Sequence, residues 1–260
     1  MPITPFHVWI ITYALSCAFF FTTPWLRGPV IGIALLHLVV FLWGIVNIRS
    51  QFFGKVFYCT ATESKKTALT FDDGPDPNLT VDILDLLKRY EAKATFFVIG
   101  KRAEQYPDLV KQTFDAGHCI ACHDLTHAYG ANFRMTKALM RDIAAAQLIT
   151  QRIIGVRPLL YRPPVGLMNP HVPLALMRLR MTCIGWNRRV GDAGNRRRKT
   201  LYDIPKLAKP GSVVLLHDCL PKPENKTVFL EQLELLLKAL RKRGLKPVGV
   251  DELLDIRAYG

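Results

Sequence analysis

Two adjacent carboxylates follow a short apolar stretch of the chain. Asp72 and Asp73 come directly after the run 68–71, and Gly74 with Pro75 then breaks the chain. The pattern predicts a buried strand with both acids at its carboxyl end, which is where α/β folds bind ligands. Adjacent Asp side chains repel each other, so a site that holds both usually recruits a cation or shares a proton. For the dipeptide alone, a turn with two solvated carboxylates is the more ordinary interpretation.

A second group consists of two histidines, His123 and His127, within the segment His-Asp-Leu-Thr-His. Imidazoles four residues apart can reach one cation from a helical turn or a tight loop. Together with Asp73 they would form a His₂-carboxylate set that leaves a position open for water, as catalytic zinc and iron sites require. A His pair at this spacing, taken alone, is more often part of a polar loop.

The same segment contains the pattern Cys-x-x-Cys-His, which is typical of c-type haem attachment and also of redox or zinc pairs. Cys119 and Cys122 fall in an apolar stretch that predicts a buried strand, where cysteines act as small apolar side chains. We therefore predict that the protein binds no haem. The six cysteines are scattered along the chain, so structural disulfides are not predicted either.

Three further polar groups come just after predicted strands. Arg162 opens the segment Arg-Pro-Pro-Val-Gly, where a rigid turn could aim the Val165 N–H at an oxyanion while Arg162 keeps a carboxylate ionised. Asp192 could orient a histidine. His217 ends an apolar strand, and its ordinary pKa near neutrality suits a general acid. The simpler alternatives are a rigid loop with a surface arginine and a strand-end histidine capped by the acid that follows it.

Alternating strands and helices would position these groups. Repeated strand–helix units in one direction predict a parallel sheet or barrel, whose strand ends converge on one face. The predicted strands are 67–71, 94–99, 118–122, 158–161, 182–186, 212–216 and 246–249. The predicted helices are 79–91, 104–116, 136–154, 171–179, 201–208 and 227–243.

The first part of the chain differs in character. The segments 6–23 and 29–48 are apolar, and each is long enough to cross a bilayer core, which needs roughly 20 apolar residues. We predict a transmembrane hairpin over 1–48, a linker over 49–66 and a catalytic domain over 67–260; a cleaved or lipidated N-terminus is the alternative. Because cations follow the second segment, the positive-inside rule predicts an inner-membrane protein with its domain on the cytoplasmic side.

The chain is strongly basic, with a formal net charge of +14. Such a charge predicts an anionic neighbour. The run 196–199 (Arg-Arg-Arg-Lys) lacks the interleaved aromatic residues and the fold motif of nucleic-acid readers, so we predict no nucleic-acid partner. Two interpretations stay open: a solvated loop near anionic lipid headgroups, or a loop that binds a phosphate on a lipid-linked sugar.

Taken in order, the motifs resemble those of the polysaccharide deacetylases, the superfamily of chitin deacetylases and nodulation deacetylases also called carbohydrate esterase family 4. The motifs are TFDDGP, HDLTH, RPPVG, WNRRVGD and LLHD, and the resemblance covers about 67–250. It implies a distorted (β/α)7-type barrel that hydrolyses an N-acyl group, foremost N-acetyl, from an amino sugar. The resemblance also implies a divalent metal held by Asp73, His123 and His127; zinc is the usual ion, with cobalt, nickel or manganese as alternatives.

The resemblance assigns the remaining catalytic roles as well. Asp72 would be the general base, tuned by Arg162, and His217 the general acid, oriented by Asp192. In the implied reaction Asp72 deprotonates a metal-bound water that attacks the acyl carbonyl, the Val165 N–H and the metal stabilise the oxyanion, and His217 protonates the leaving amine. The predicted substrate contacts are Pro163, Val165, Gly166, Trp186 and Leu216.

This sequence departs from the family pattern in three places. Asp124 stands where a Ser or Thr commonly follows the first ligand histidine, and Val165 replaces a common aromatic residue. The fourth motif lacks the usual Asp-Trp pair. None of these changes removes a metal ligand, so we expect an active enzyme; a membrane-tethered carbohydrate- or metal-binding protein without turnover is the alternative.

Overall fold

The short apolar runs of the sequence form parallel strands in the computed structural model, which describes residues 3–22, 27–61, 63–128, 130, 133–189, 209–219 and 226–260. Its strands are β1 (Lys66–Asp72), β2 (Thr95–Val98), β3 (Cys119–Cys122), β4 (Leu160–Tyr161), β5 (Thr182–Cys183), β6 (Arg188–Arg189), β7 (Val213–His217) and β8 (Lys246–Val248). They form one sheet in the order β5-β4-β3-β2-β1-β7-β6, with β8 also paired to β1. Every pairing is parallel.

Helices connect most of these strands. They are α1 (Pro5–Thr22), α2 (Arg27–Val46), α3 (Thr80–Arg89), α4 (Gly100–Gln105), α5 (Pro107–Asp115), α6 (Thr136–Ile154), α7 (His171–Leu179), α8 (Lys226–Lys242) and α9 (Val250–Leu254). The sheet curls into a half-barrel of parallel strands, which confirms the predicted α/β class with parallel strands.

The helix predicted at 104–116 is α5, which begins three residues later than predicted, with Pro107 at its first position. The short helix α4 before it was not predicted. Proline has no N–H to donate and its ring clashes with the preceding turn, so it starts a helix and does not continue one. Strand β6 and helix α9 were not predicted. The predicted helix 201–208 lies outside the described residues.

The two faces of β1 have different surroundings. Leu69 and Phe71 belong to the apolar cluster between the sheet and helices α3 and α8. Ala68, Thr70 and Asp72 alternate with them and therefore point to the inner face of the curled sheet. Large apolar side chains therefore hold the outer face of β1 against the helices. The inner face of β1 carries polar groups toward its carboxyl end.

Helices α1 and α2 occur where two apolar helices were predicted. They contact each other and the rest of the domain: Trp9 Nε1 donates to the His37 carbonyl at 3.1 Å, and Phe6 N donates to the Phe52 carbonyl at 2.9 Å. Many of their large apolar side chains are exposed. In the described part of the chain, no helix combines the length and the apolar character that a membrane crossing requires, so the structure does not support the predicted transmembrane hairpin. The predicted membrane location is untested and stays a prediction.

The segment that follows α2 was predicted to be a polar linker, 49–66. Several of its apolar residues, among them Phe52, Phe53 and Val56, are buried in the cluster around α6 and α7. Phe57 pairs with Ile184 beside β5, and Cys59 pairs with Ser212 beside β7. This segment therefore spans the gap between two parts of the curled sheet. The predicted domain boundaries themselves stay a prediction.

One buried histidine away from the polar strand ends makes stability depend on pH. His118 is 5% exposed, and its Nδ1 accepts a hydrogen bond from Ala94 N at 3.2 Å. Burial, with repulsion from the Lys93 charge, lowers the pKa of His118 from 6.5 to about 4. The unfolded chain therefore binds a proton that the folded chain rejects, so stability is present above pH 6.5 and is lost as the pH falls toward 4.

We expect acidification from pH 7 to pH 5 to destabilise the protein by about 1–2 kcal/mol through His118. The measurement is thermal unfolding of the wild type and His118→Asn across this range. The difference in melting temperature between the two proteins should shrink as the pH falls, whereas the exposed His7→Asn control should follow the wild type. Parallel curves for the wild type and His118→Asn would contradict this account.

Candidate active site

The polar groups predicted to act together lie at the carboxyl ends of neighbouring strands. Asp72 ends β1 and His217 ends β7, and these two residues pair directly in register. His123 follows β3, which is one strand beyond β2 on the same side, and Arg162 follows β4. Because all the strands are parallel, residues separated by up to 145 positions, from Asp72 to His217, meet at one edge of the sheet.

Asp73 and the two histidines form a compact cluster. Asp73 Oδ1 lies 3.4 Å from His123 Nε2 and 3.3 Å from His127 Nε2. One ligand atom from each of these three residues lies within 4.8 Å of the others. Asp73 has a φ of 73°, in the left-handed region, so the chain turns sharply directly after β1.

The chemistry of this cluster fits a divalent cation. Asp73 Oδ1 is buried and has no hydrogen-bond partner among the described residues, which is the state of a ligand atom and a costly one for an ordinary carboxylate. His123 Nδ1 lies 2.8 Å from the Arg162 carbonyl, so Nδ1–H donates there and leaves Nε2 available to a metal. A carboxylate with two imidazoles is a donor set that suits zinc and related transition metals and leaves room for water.

The charges of Asp73, His123 and His127 shift one another's pKa values. Burial raises the pKa of Asp73, but the close approach and charge of His123, with the charges of His127 and His217, outweigh it and hold that pKa well below its usual range. Burial lowers the pKa of His123, yet the neighbouring carboxylates Asp72 and Asp73 raise it overall. Burial and repulsion from His123 lower the pKa of His127. The cluster therefore attracts positive charge into its centre.

Asp72 has a different partner. Its Oδ1 accepts a hydrogen bond from Arg162 Nη1 at 2.7 Å, and its Oδ2 lies 3.9 Å from His123 Nε2. Arg162 is fully buried, and its guanidinium lies over the Phe97 ring, 3.9 Å from the centroid. Burial lowers the pKa of Arg162 and the Asp72 charge opposes this shift, so the guanidinium stays protonated at neutral pH. Such a pair fixes the direction of the Asp72 carboxylate.

The turn after Arg162 forms a rim beside these groups. Val165 and Gly166 have positive φ values of 58° and 70°, and Val165 is exposed. A Cβ on Gly166 would lie 2.2 Å from the Trp186 ring, so only glycine allows that ring to pack against the turn. Trp186 in turn lies 5.5 Å from the Arg162 guanidinium, and Pro163 is buried behind it. Four of the five predicted substrate contacts are thus placed around Arg162.

The structure places the fifth predicted substrate contact, Leu216, away from the other four. Its side chain is fully buried in the apolar cluster on the outer face of the sheet. Alternation along β7 places Leu215, two residues before His217, on the inner face with that histidine. The period of two along the strand was visible in the sequence and could have identified Leu215.

Two further acids are buried next to the histidines of the site. Asp124 follows His123, is fully buried, and neither of its carboxylate oxygens has a hydrogen-bond partner among the described residues. Asp218 is buried after His217 and accepts a hydrogen bond from Thr80 Oγ1 at 2.9 Å; burial raises its pKa to about 7. Asp192 lies outside the described residues, as does the run 196–199.

Sequence reasoning also missed residues that support Arg162. Phe97 stacks under its guanidinium, and Thr70 accepts a hydrogen bond from its Nη1 at 2.8 Å. Thr70 precedes Asp72 by two residues on a strand, so alternation alone places both side chains on one face. Phe97 pairs in register with Asp72 across β1 and β2, and the sequence carries no signal for the register between two strands.

Comparison with known proteins agrees with this geometry. The family model described as polysaccharide deacetylase matches residues 60–184. A peptidoglycan-N-acetylglucosamine deacetylase of Bacillus cereus (strain ATCC 14579) is 36% identical over 204 residues, which cover 77% of this chain and 93% of that protein. The peptidoglycan-N-acetylmuramic acid deacetylase PdaC of Bacillus subtilis (strain 168) is 32% identical over 74% of this chain, and the match spans only 39% of PdaC.

Solved structures give the same result. The crystal structure of a peptidoglycan N-acetylglucosamine deacetylase in complex with 4-naphthalen-1-yl-N-oxidanyl-benzamide superposes with a TM-score of 0.68 at 26% identity. The superposition covers 77% of this chain and 93% of that one. The curled half-barrel fold is therefore shared with that deacetylase.

The geometry predicts different metal affinities for two neighbouring substitutions. Asp73→Ala removes the carboxylate that both histidines face, so zinc affinity should fall at least about 100-fold. Asp72→Asn keeps the shape of a side chain that contacts Arg162, so zinc affinity should change by less than about fivefold. Isothermal titration of the metal-free proteins with zinc measures both. Equal losses in the two variants would contradict the assignment of Asp73 as the ligand.

Proposed function

This chain belongs to the polysaccharide deacetylase family, carbohydrate esterase family 4, and on that premise we propose that it hydrolyses the N-acetyl group of an amino sugar in a carbohydrate chain. The products are a free amino sugar and acetate. Its relatives are named for N-acetylglucosamine and N-acetylmuramic acid of peptidoglycan, and we propose N-acetylglucosamine residues of such a polymer as the substrate.

The observation that carries the proposal is the separation of two adjacent carboxylates. Asp73 faces His123 and His127, while Asp72 is paired with Arg162. A surface turn would leave both acids in water, and a purely structural ion pair would not need the His₂-carboxylate cluster next to it. A hydrolase needs both groups: a held cation and an ionised base within reach of the same water.

We propose that Asp73, His123 and His127 hold a divalent cation, with zinc as the first candidate. When bound, such a cation lowers the pKa of a water molecule and polarises the acyl carbonyl. Asp72 then accepts the proton of the attacking water through Oδ2, because its Oδ1 is engaged by Arg162. His217 ends the neighbouring strand and donates a proton to the amine as the C–N bond breaks. The hydroxyl ends on the acyl carbon, which leaves as acetate.

The pairing with Arg162 explains why we assign Asp72 as the general base. The fully buried guanidinium places a positive charge beside the carboxylate, and its contacts hold one carboxylate oxygen still so that the other keeps a fixed direction. The cost of burying the cation is offset by its hydrogen bonds and by the Phe97 face.

Other parts of the mechanism rest on the family resemblance. We propose that the Val165 N–H stabilises the oxyanion and that Asp192 orients His217. In support, the positive φ values of the 165–166 turn give Val165 an unusual backbone conformation beside Arg162. Asp192 lies outside the described residues, so its part rests on the sequence alone.

We also propose that the protein works next to a lipid surface. The support is the set of exposed apolar side chains on α1 and α2, among them Ile11, Leu36 and Val39. That the substrate carries a lipid-linked phosphate stays a prediction from the basic run 196–199, which lies outside the described residues.

The general-base assignment predicts that Asp72→Asn abolishes deacetylation without loss of the metal. With zinc-loaded enzyme and a chitooligosaccharide as the probe, acetate release should fall by about 100- to 10,000-fold. His217→Asn should lose activity over a similar range while retaining zinc. The control is Asp115→Asn, a change at an exposed acid of α5, which should leave activity unchanged. A wild-type protein that binds zinc and releases no acetate from any N-acetylated sugar would favour the binding protein without turnover.

A further inference from the structure

Thr70 is a polar side chain that the proposed mechanism does not use, although it contacts the catalytic ion pair. It is fully buried on β1, two residues before Asp72. Its Oγ1 donates a hydrogen bond to the Val214 carbonyl of β7 at 2.8 Å and accepts one from Arg162 Nη1 at 2.8 Å. One hydroxyl therefore connects two strands and the buried arginine.

The geometry of Arg162 links its contact with Thr70 to its contact with Asp72. Its Nη1 carries two hydrogens, and the two acceptors are Thr70 Oγ1 at 2.8 Å and Asp72 Oδ1 at 2.7 Å. Since the two bonds share one planar nitrogen, the position of the first acceptor fixes the direction of the second hydrogen. The other end of the guanidinium donates to the carbonyls of Ile184 and Gly185 at 3.3 and 3.0 Å.

The direction of the Thr70 hydroxyl is itself fixed. Its hydrogen points to the Val214 carbonyl, so only its lone pairs face Arg162. Thr70 and Leu215 occupy paired positions on β1 and β7, as do Asp72 and His217. The bond from Thr70 to β7 therefore joins the strand that carries the proposed base to the strand that carries the proposed acid.

We propose that Thr70 is a positioning residue for deacetylation: its hydroxyl aligns the Arg162 guanidinium, and through it sets the direction in which Asp72 faces the attacking water. This inference rests on the proposed function, because it assigns a part in the same reaction. It predicts that Thr70 affects turnover and leaves substrate binding and metal binding largely unchanged, since Thr70 contacts neither the substrate rim nor the His₂-carboxylate cluster.

The chain supplies a matched control on the same strand. Thr67 is also fully buried, and its Oγ1 donates to the Ser212 carbonyl beside β7 at 3.0 Å. It lies three residues before Thr70, toward the opposite end of β1 from the two acids. Replacing either threonine with valine keeps the shape and removes one inter-strand hydrogen bond, but only Thr70→Val removes the acceptor of Arg162.

The experiment compares Thr70→Val, Thr70→Ser and Thr67→Val as full-length, zinc-loaded proteins that deacetylate a chitooligosaccharide. Because a small misdirection of a reacting group lowers turnover steeply, Thr70→Val should lower kcat about 10- to 100-fold while KM and the zinc Kd change less than about threefold. Thr70→Ser keeps the hydroxyl and should restore kcat to within about threefold of the wild type. Thr67→Val should retain the wild-type kcat even if its melting temperature falls as much as that of Thr70→Val.

Two results would overturn the proposal. One is a kcat for Thr70→Val equal to that of Thr67→Val, which would make Thr70 a structural residue only. The other is a crystal structure of Thr70→Val in which the Arg162 Nη1 to Asp72 Oδ1 contact is unchanged from 2.7 Å. The two hypotheses can fail separately. If the wild type releases no acetate, the proposed function is wrong. A displaced guanidinium in the crystal structure of Thr70→Val would still show that Thr70 positions Arg162.

Discussion

The site depends on one buried ion pair, between Arg162 and Asp72. A fully buried guanidinium is costly unless each of its donors finds a partner, and here Thr70, Asp72, Ile184 and Gly185 all accept hydrogen bonds from it. The pair engages Asp72 Oδ1, while its neighbour Asp73 faces the two histidines of the proposed metal site. Adjacent acids would otherwise compete for the same cation or share a proton.

The curled parallel sheet supplies what this pair needs. Period-two alternation directs Thr70, Asp72 and His217 to the inner face, while Leu69, Phe71, Val214 and Leu216 fill the outer cluster against the helices. The same strands that bury the apolar core therefore carry the catalytic groups to its edge. Beyond the last residue of β1 the backbone turns at Asp73, which has a positive φ and whose side chain faces the histidines.

The sequence was sufficient to predict that the polar groups meet at one edge of the sheet. Each motif follows an apolar run, and parallel strands end at the same edge. It predicted the cluster of Asp73, His123 and His127 for the same reason. It failed where the answer depended on strand register or on packing between distant segments. Phe97 lies beside Asp72 only because of the register between β1 and β2, and the apolar residues of the predicted linker 49–66 fill a core whose other half comes from α6 and α7. The choice of Leu216 over Leu215 was instead an error that alternation along β7 could have prevented. The two helices of the first 48 residues lie where the apolar segments predicted them.

The most direct measurement of the central claim is a crystal structure of zinc-loaded protein with anomalous diffraction at the zinc absorption edge. The two neighbouring carboxylates should be separated by function: the ion bound by Asp73, His123 Nε2 and His127 Nε2 at about 2.0–2.2 Å, with Asp72 outside the coordination sphere and still bonded to Arg162. An ion bound by Asp72, with its contact to Arg162 broken, would contradict the account.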